Sequence, residues 1–167
     1  MRHDNDQTAV GAKPAGAGAR ETVEMRRRVM GLLANSTEQE LSERLASLEN
    51  IPGSEEIRRP EIGAVMVRGR MGGDGKPFNL GEATVTRASV RLATGETGTS
   101  YVLGRHPGKA RIAALIDALW QRPEFQSVVE ERVLAPIARR LDADAAKRAA
   151  ETAATRVEFF TVVRGED

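Results

Sequence analysis

The chain has 167 residues, 40% of them hydrophobic and 29% charged, which suits a globular domain with a core of its own. Its 25 lysines and arginines nearly balance 24 aspartates and glutamates, so the net charge gives no case for binding nucleic acid or an anionic membrane. The lack of cysteine and the presence of only two histidines exclude a disulfide, a cysteine-bound iron–sulfur cluster and a histidine-rich metal site. No apolar run approaches the roughly 18 residues of a membrane span, and the N-terminus lacks the order of a secretion signal. We therefore expect a cytoplasmic protein without a cofactor or metal of its own.

The first residues differ in composition from the rest of the chain. Residues 1–20 are rich in Gly, Ala and charge and show no periodicity, which predicts a disordered tail ahead of a single domain at 21–167. From Glu21 the apolar residues recur at helical spacing, as Met25, Val29 and Leu32. Thr37 then stands three residues before Glu40, the capping-box arrangement that starts a second helix.

The middle of the chain is enriched in Val, Thr and Tyr and predicts three strands. These strands are Ala64–Arg70, Ala83–Leu92 and Thr99–Leu103. A helix should follow from about Gly108, and a further one should be bent or broken at Pro136. An Ala-rich helix over 143–154 and a last strand at Val157–Val163 complete the pattern. This order predicts an α+β fold, in which an antiparallel sheet of about four to five strands packs with helices from both ends of the chain.

The Gly-rich stretch Gly69–Pro77 invites a phosphate-loop interpretation, because glycines let backbone N–H groups approach phosphate oxygens. It fails the P-loop pattern, since Arg70 stands where the first glycine is required and Pro77 replaces the Ser or Thr that binds magnesium. A flexible connection between strands is favoured.

No set of nucleophile, base and orienting residue is legible, so the catalytic residues are unknown. His106 follows a predicted strand end, where a general base could lie, but a single loop histidine is more often merely exposed. It is a weak candidate for a general base.

Three arginines are more informative, because each lies on or beside a different predicted strand. Arg70, Arg87 and Arg105, with Lys109 shortly after, could form a basic surface that binds phosphate or a partner's carboxylates. The alternative is a solvated sheet face with local ion pairs. Pairing of the strands is expected to bring the three guanidinium groups together.

Several segments also carry a family resemblance. They are Arg70–Leu92 (RMGGDGKPFNLGEATVTRASVRL), Ser100–Arg105 (SYVLGR), Ala114–Leu119 (ALIDAL) and Arg156–Gly165 (RVEFFTVVRG). In content, order and spacing they resemble the signature segments of the PhnG family, and the resemblance extends over roughly residues 25–166.

The resemblance implies a role in bacterial phosphonate utilisation, as a non-autonomous subunit of the carbon–phosphorus lyase system. Its partners would be the H, I, J and L subunits. With H, I and L it would serve a transferase that displaces adenine from ATP by an alkylphosphonate, giving α-D-ribose 1-alkylphosphonate 5-triphosphate. The iron–sulfur chemistry would belong to J. Two hypotheses remain open: a structural assembly subunit, or a subunit whose arginines contact the substrates.

Overall fold

The fold was analysed in a computed structural model that describes residues 15–72 and 74–155. Its elements in chain order are α1 (Ala15–Ala34), α2 (Glu38–Ala46), β1 (Ser54–Arg70), β2 (Pro77–Leu92), β3 (Thr97–Leu103), α3 (Pro107–Trp120), α4 (Pro123–Val129) and α5 (Ala135–Ala154), with a π-helical turn at Glu130–Leu134. The predicted α+β class is confirmed. Helix α1 begins inside the stretch predicted as a tail, whose residues 1–14 lie outside the described ranges. Within those ranges, no helix has both the length and the apolar character needed to cross a membrane.

The strands form one antiparallel sheet in the order β1-β2-β3. The described part of the chain thus holds three strands, fewer than the four to five expected. The strand predicted at Val157–Val163 lies outside the described residues. Strand β1 begins at Ser54, ten residues before the predicted start at Ala64. Its charged first half has no strand pattern, and it joins the sheet because β2 offers it a pairing edge.

Helix α3 lies at the centre of the molecule and is buried on both sides. One side packs Ala110 and Ala114 against Val90 and Val102 of the sheet. The other side packs on the remaining helices in a larger core, which includes Leu33, Leu41, Ile116, Leu119, Trp120, Val133 and Ile137. The order of layers is therefore the sheet, then α3, then the helices from both ends of the chain.

A bend or a break was predicted at Pro136, and the break is wrong. The helical chain runs from Pro123 to Ala154, and the predicted Ala-rich helix is the second half of α5. In the π-helical turn, the N–H of Ala135 donates to the carbonyl of Glu130, five residues back. Proline cannot donate and clashes with the carbonyl four residues before it in a regular helix. A wider turn immediately before Pro136 relieves that conflict and lets the helix continue.

Candidate functional site

Strands β1 and β2 continue well beyond the rest of the sheet. Strand β3 pairs with β2 only from Arg91 to Val85, whereas β1 and β2 pair onward as far as Arg70 and Pro77. Residues 64–84 therefore project as a two-stranded ribbon, which we call the arm. At about 3.3 Å per residue, the arm's strands extend roughly 20 Å past the edge of the three-stranded part.

The arm exposes apolar side chains on both of its faces. Directly paired residues share a face, so Val65 and Val67 lie on the face away from α3, and Met66 lies on the other. Met66 is 52% exposed and Leu80 62% exposed, with Met71 and Phe78 also exposed near the tip. An isolated two-stranded hairpin is marginally stable in water, and a contiguous apolar surface of this kind is typical of an interaction site.

The apolar surface continues from the arm onto the open face of the sheet. Leu103 pairs with Val85, next to the pair formed by Val65 and Ala83. Leu103 is 70% exposed and Tyr101 54% exposed, although the uncovered face of an antiparallel sheet is commonly polar. The arm and this part of the sheet together form one surface suited to burial against another protein.

The structure does not bring the three predicted arginines together. Arg70 lies at the arm's far end, opposite Pro77, and Arg87 lies ten residues along β2, about 33 Å away at the rise of an extended strand. The expectation that the three guanidinium groups come together is therefore wrong, because Arg70 lies at the far end of the arm and Arg87 lies in the three-stranded part of the sheet. Whether each one binds phosphate or a partner stays a prediction.

Arg87 is held by a local ion pair. Its Nε donates to Oε1 of Glu61, the residue directly opposite on β1, at 2.6 Å. This hydrogen bond raises the pKa of Arg87 above its ordinary value. The pKa of Glu61 is lowered by hydrogen bonds from Arg58 and Arg87. The pair leaves Arg87 less free to bind a substrate than a lone cation.

Arg70 and Arg105 are the more available cations. Arg70 is exposed, and its Nη1 donates to the carbonyl of Gly75 at 3.2 Å, across the turn of the arm. Arg105 is exposed and makes no hydrogen bond or ion pair with any residue in the described ranges. Arg105 follows β3 on the body of the molecule. Of the predicted site residues, it has the fewest contacts with the described part of the chain.

His106 stands immediately before α3, as that helix's N-terminal cap. Its backbone N–H donates to Oγ1 of the buried Thr86 at 2.9 Å, while the side chain is exposed. Thr86 in turn donates to the carbonyl of Gly104 at 2.7 Å. The contacts fix the backbone between β3 and α3, and no orienting partner holds the imidazole among the residues that the structure describes.

Lys109 links two helices. Its Nζ donates to the carbonyl of Ala34, the last residue of α1, at 2.7 Å, and its backbone N–H donates to Oε2 of Glu38 at 3.0 Å. Burial lowers the pKa of Lys109. A cation at a helix C-terminus satisfies carbonyls that lack a partner within the helix. The contacts give Lys109 a structural role in the chain, and a phosphate-binding role stays a prediction.

Sequence reasoning missed the most buried charged group of the described residues. Asp117 of α3 is fully buried, and Arg26 of α1 contacts both of its carboxylate oxygens. The signal was present, because Asp117 is the single charged residue in the apolar stretch Ile112–Trp120. A buried charge is paired or costs several kcal/mol. Across the described ranges, we find no group of three or more His, Asp or Glu placed to hold a metal ion.

The described part of the chain is a small α+β body with a projecting apolar ribbon, a surface of the kind that contacts other proteins. The sequence model of one family, described as phosphonate metabolism protein PhnG, matches residues 24–165. The chain is also 52% identical over 145 residues to the alpha-D-ribose 1-methylphosphonate 5-triphosphate synthase subunit PhnG of Rhizobium meliloti (strain 1021), covering 87% of this chain and 92% of that one. The chain belongs to the PhnG family, and the resemblance seen in the sequence is confirmed.

Proposed function

We propose that this chain is a cytoplasmic subunit of an alpha-D-ribose 1-methylphosphonate 5-triphosphate synthase, working with the H, I, J and L subunits. The complex would transfer the ribose triphosphate of ATP to an alkylphosphonate. A phosphonate oxygen forms the new bond to the ribose carbon, and the bond from that carbon to adenine breaks. The high identity to the Rhizobium subunit supports this assignment.

The exposed arm is the observation that carries the proposal of a subunit dependent on partners. Both faces of the ribbon present apolar side chains to solvent, and a two-stranded ribbon alone has little stability. Burial of that surface against another subunit contributes roughly 25 cal/mol per Å² of apolar area. Assembly thus accounts for a feature that a free-standing enzyme would not need.

Co-expression with the other subunits tests the proposal. The tagged chain should co-purify with them, and the complex should convert ATP and methylphosphonate into the ribose product with release of adenine. The isolated chain should show no turnover. The proposal would be contradicted if the chain alone turned over the substrates, or if none of these subunits co-purified with it.

A direct contact of the arginines with substrate is the second candidate, and Arg105 carries it because its guanidinium is exposed and uncommitted in the described ranges. Arg105→Ala, Arg70→Ala and Arg87→Ala should be compared in the complex, with Arg148→Ala on the exposed side of α5 as the control. Lost turnover in an intact complex favours substrate binding. Lost co-purification favours an interface. If all three variants assemble and turn over like the wild type, the arginines belong to a solvated face and bind neither substrate nor partner.

A further inference from the structure

The free edge of β1 offers backbone hydrogen-bonding groups along the arm. The N–H of Gly104 donates to the carbonyl of Thr84 at 2.8 Å, which makes the even-numbered residues of β2 face β3. Because backbone groups alternate in direction along a strand, the odd-numbered residues of β2 face β1. Their partners at this level are Glu61, Gly63, Val65 and Val67.

The residues between those partners must point their N–H and C=O groups outward. They are Ile62, Ala64 and Met66, and among the residues that the structure describes β1 has β2 as its single neighbour. No backbone or side-chain partner for these groups occurs in the described ranges. The edge therefore presents three unpaired donor–acceptor sets in a row.

The segment 62–67 lacks the features that usually protect an edge strand. It reads IGAVMV, without charge or proline, and its pairing with β2 is regular throughout. The first half of β1 differs, with Pro60, several charges and two register shifts. Proteins blunt exposed edges with short strands, charges, proline and bulges. The first half of β1 has these protective features and segment 62–67 has none of them. We therefore expect the edge of 62–67 to be covered by another chain in the assembled protein.

The charges at the arm's tip indicate what covers this edge. Arg68, Arg70 and Lys76 lie at the tip, where the described residues include one acidic side chain, that of Asp74. None of these three cations forms an ion pair within the described ranges. At the other end of the segment, Glu61 already has two arginine partners, Arg58 and Arg87. An incoming chain would therefore gain most from carboxylates at the tip end.

We propose that an extended segment of a partner subunit pairs with the edge of 62–67 and adds a fourth strand to the sheet. This inference rests on the proposed function and adds the way in which one partner subunit binds to this chain. That strand would be apolar on both faces, because Met66 lies beside one face of the new pair and Val65 and Val67 beside the other. It would carry Asp or Glu where it passes Arg68 and Arg70. Main-chain hydrogen bonds supply the contact and the side chains select the partner.

Residue-resolved amide exchange of the free chain and of the co-expressed complex tests the pairing. The amides of Gly63 and Val65 should be protected in both states, because they bond to β2. The amides of Ile62, Ala64 and Met66 should slow by at least about tenfold in the complex alone. An intact complex in which these three amides exchange as in the free chain overturns strand addition and leaves the proposed function standing.

Substitutions at Ala64 give a second readout. Ala64→Pro removes an outward N–H and keeps the bonds to β2, and proline is tolerated on edge strands, so the chain should fold but lose most co-purifying partner. Ala64→Val keeps the N–H and should retain the partner. Equal retention by both variants contradicts the proposal, and if Ala64→Pro fails to fold, the exchange pattern decides alone.

Two further outcomes also reject the proposal. Protection of the three amides in the isolated chain, together with the mass of a dimer, would identify a second copy as the occupant of the edge. If the chain binds none of the subunits, both the strand pairing and the proposed function fail.

Discussion

Arg26 of α1 donates two hydrogen bonds to the carboxylate of Asp117 in α3. The distance from Nε to Oδ1 is 3.0 Å, and that from Nη2 to Oδ2 is 2.7 Å. The carboxylate also accepts the backbone N–H of Thr99 in β3 at 2.9 Å. The side chain of Asp117 is fully buried, and that of Arg26 is 33% exposed. One carboxylate thus joins the first helix, the central helix and the edge strand, and its hydrogen bonds offset the cost of burying its charge.

Asp117→Ala should destabilise the fold by about 3 kcal/mol, because the partly buried N–H of Thr99 and guanidinium of Arg26 lose their carboxylate acceptor. Asp142→Ala, at an exposed position of α5, is the matched control and should change stability by less than about 0.5 kcal/mol. Urea unfolding of the isolated chain measures both. Equal stability of the two variants would show that the buried pair contributes nothing net.

Gly98→Ala should destabilise by about 2 kcal/mol or more, the usual cost of overpacking. A Cβ at Gly98 would overlap the carbonyl oxygen of Ala114 and the backbone nitrogen of Ala118, and backbone atoms of a buried helix cannot move aside as a flexible side chain would. Gly31→Ala is the control, because it lies inside α1 with nothing within 4 Å of its added Cβ. It should stabilise by about 0.5–1 kcal/mol. Thermal unfolding should shift in opposite directions for the two variants.

Lys109→Met should lower stability by about 1 kcal/mol, because the carbonyl of Ala34 loses a charged donor while the aliphatic packing is largely kept. Lys147→Met, on the exposed side of α5, serves as the control and should have little effect. The complex formed by Lys109→Met should turn over normally below its melting temperature. Loss of turnover from a stable, intact complex would instead favour the phosphate-binding role predicted from the sequence.

Glu40 gives the fold a dependence on acid. Its Oε1 and Oε2 accept hydrogen bonds from Arg140 of α5 at 3.0 and 2.8 Å, and this contact lowers the pKa of Glu40 below its ordinary value of 4.5. As the pH falls below 4.5, the carboxylate of Glu40 is protonated in the unfolded chain before it is protonated in the folded chain. The stabilisation is complete above that range and is lost as the pH drops through the folded-state pKa.

Arg140→Ala should therefore reduce stability at neutral pH and flatten its decline under acid. Urea unfolding at a series of pH values from 7 down to 3 compares the variant with the wild type and with Arg148→Ala, an exposed change on the same helix. An unchanged acid dependence in Arg140→Ala would rule out the contact as its source.

Local signals in the sequence predicted local structure well. Thr37 caps α2 as expected, with its Oγ1 accepting the N–H of Glu40 at 3.1 Å. Helix α3 was predicted from its apolar periodicity, and it begins at Pro107, one residue before the predicted start. Both features depend on residues within a few positions of each other, where spacing carries the information.

Features that depend on distant residues escaped the sequence. The first half of β1 has Pro60 and five charged residues from Glu55 to Glu61, and only β2 makes it a strand. The separation of Arg70 from Arg87 follows from strand β2, which begins at Pro77, six residues before the predicted start at Ala83. The ion pair of Arg26 and Asp117 spans 91 positions, and the arm was missed because β2 was expected to begin at Ala83 and begins at Pro77.

The close contact at Gly98 holds the three-stranded part of the sheet rigidly against α3, whereas the arm is attached to that part at one end only. Strand β3 meets α3 backbone to backbone there, so the three-stranded part has little room to move. Within the described ranges, no helix packs along the arm beyond Gly63. The arm is about 23 Å long from Gly63 to Arg70. A tilt of about 5° at its base therefore moves its tip by about 2 Å. A substitution at the base, where Val85 and Leu103 pair, would therefore displace Arg68 and Arg70 without touching either one.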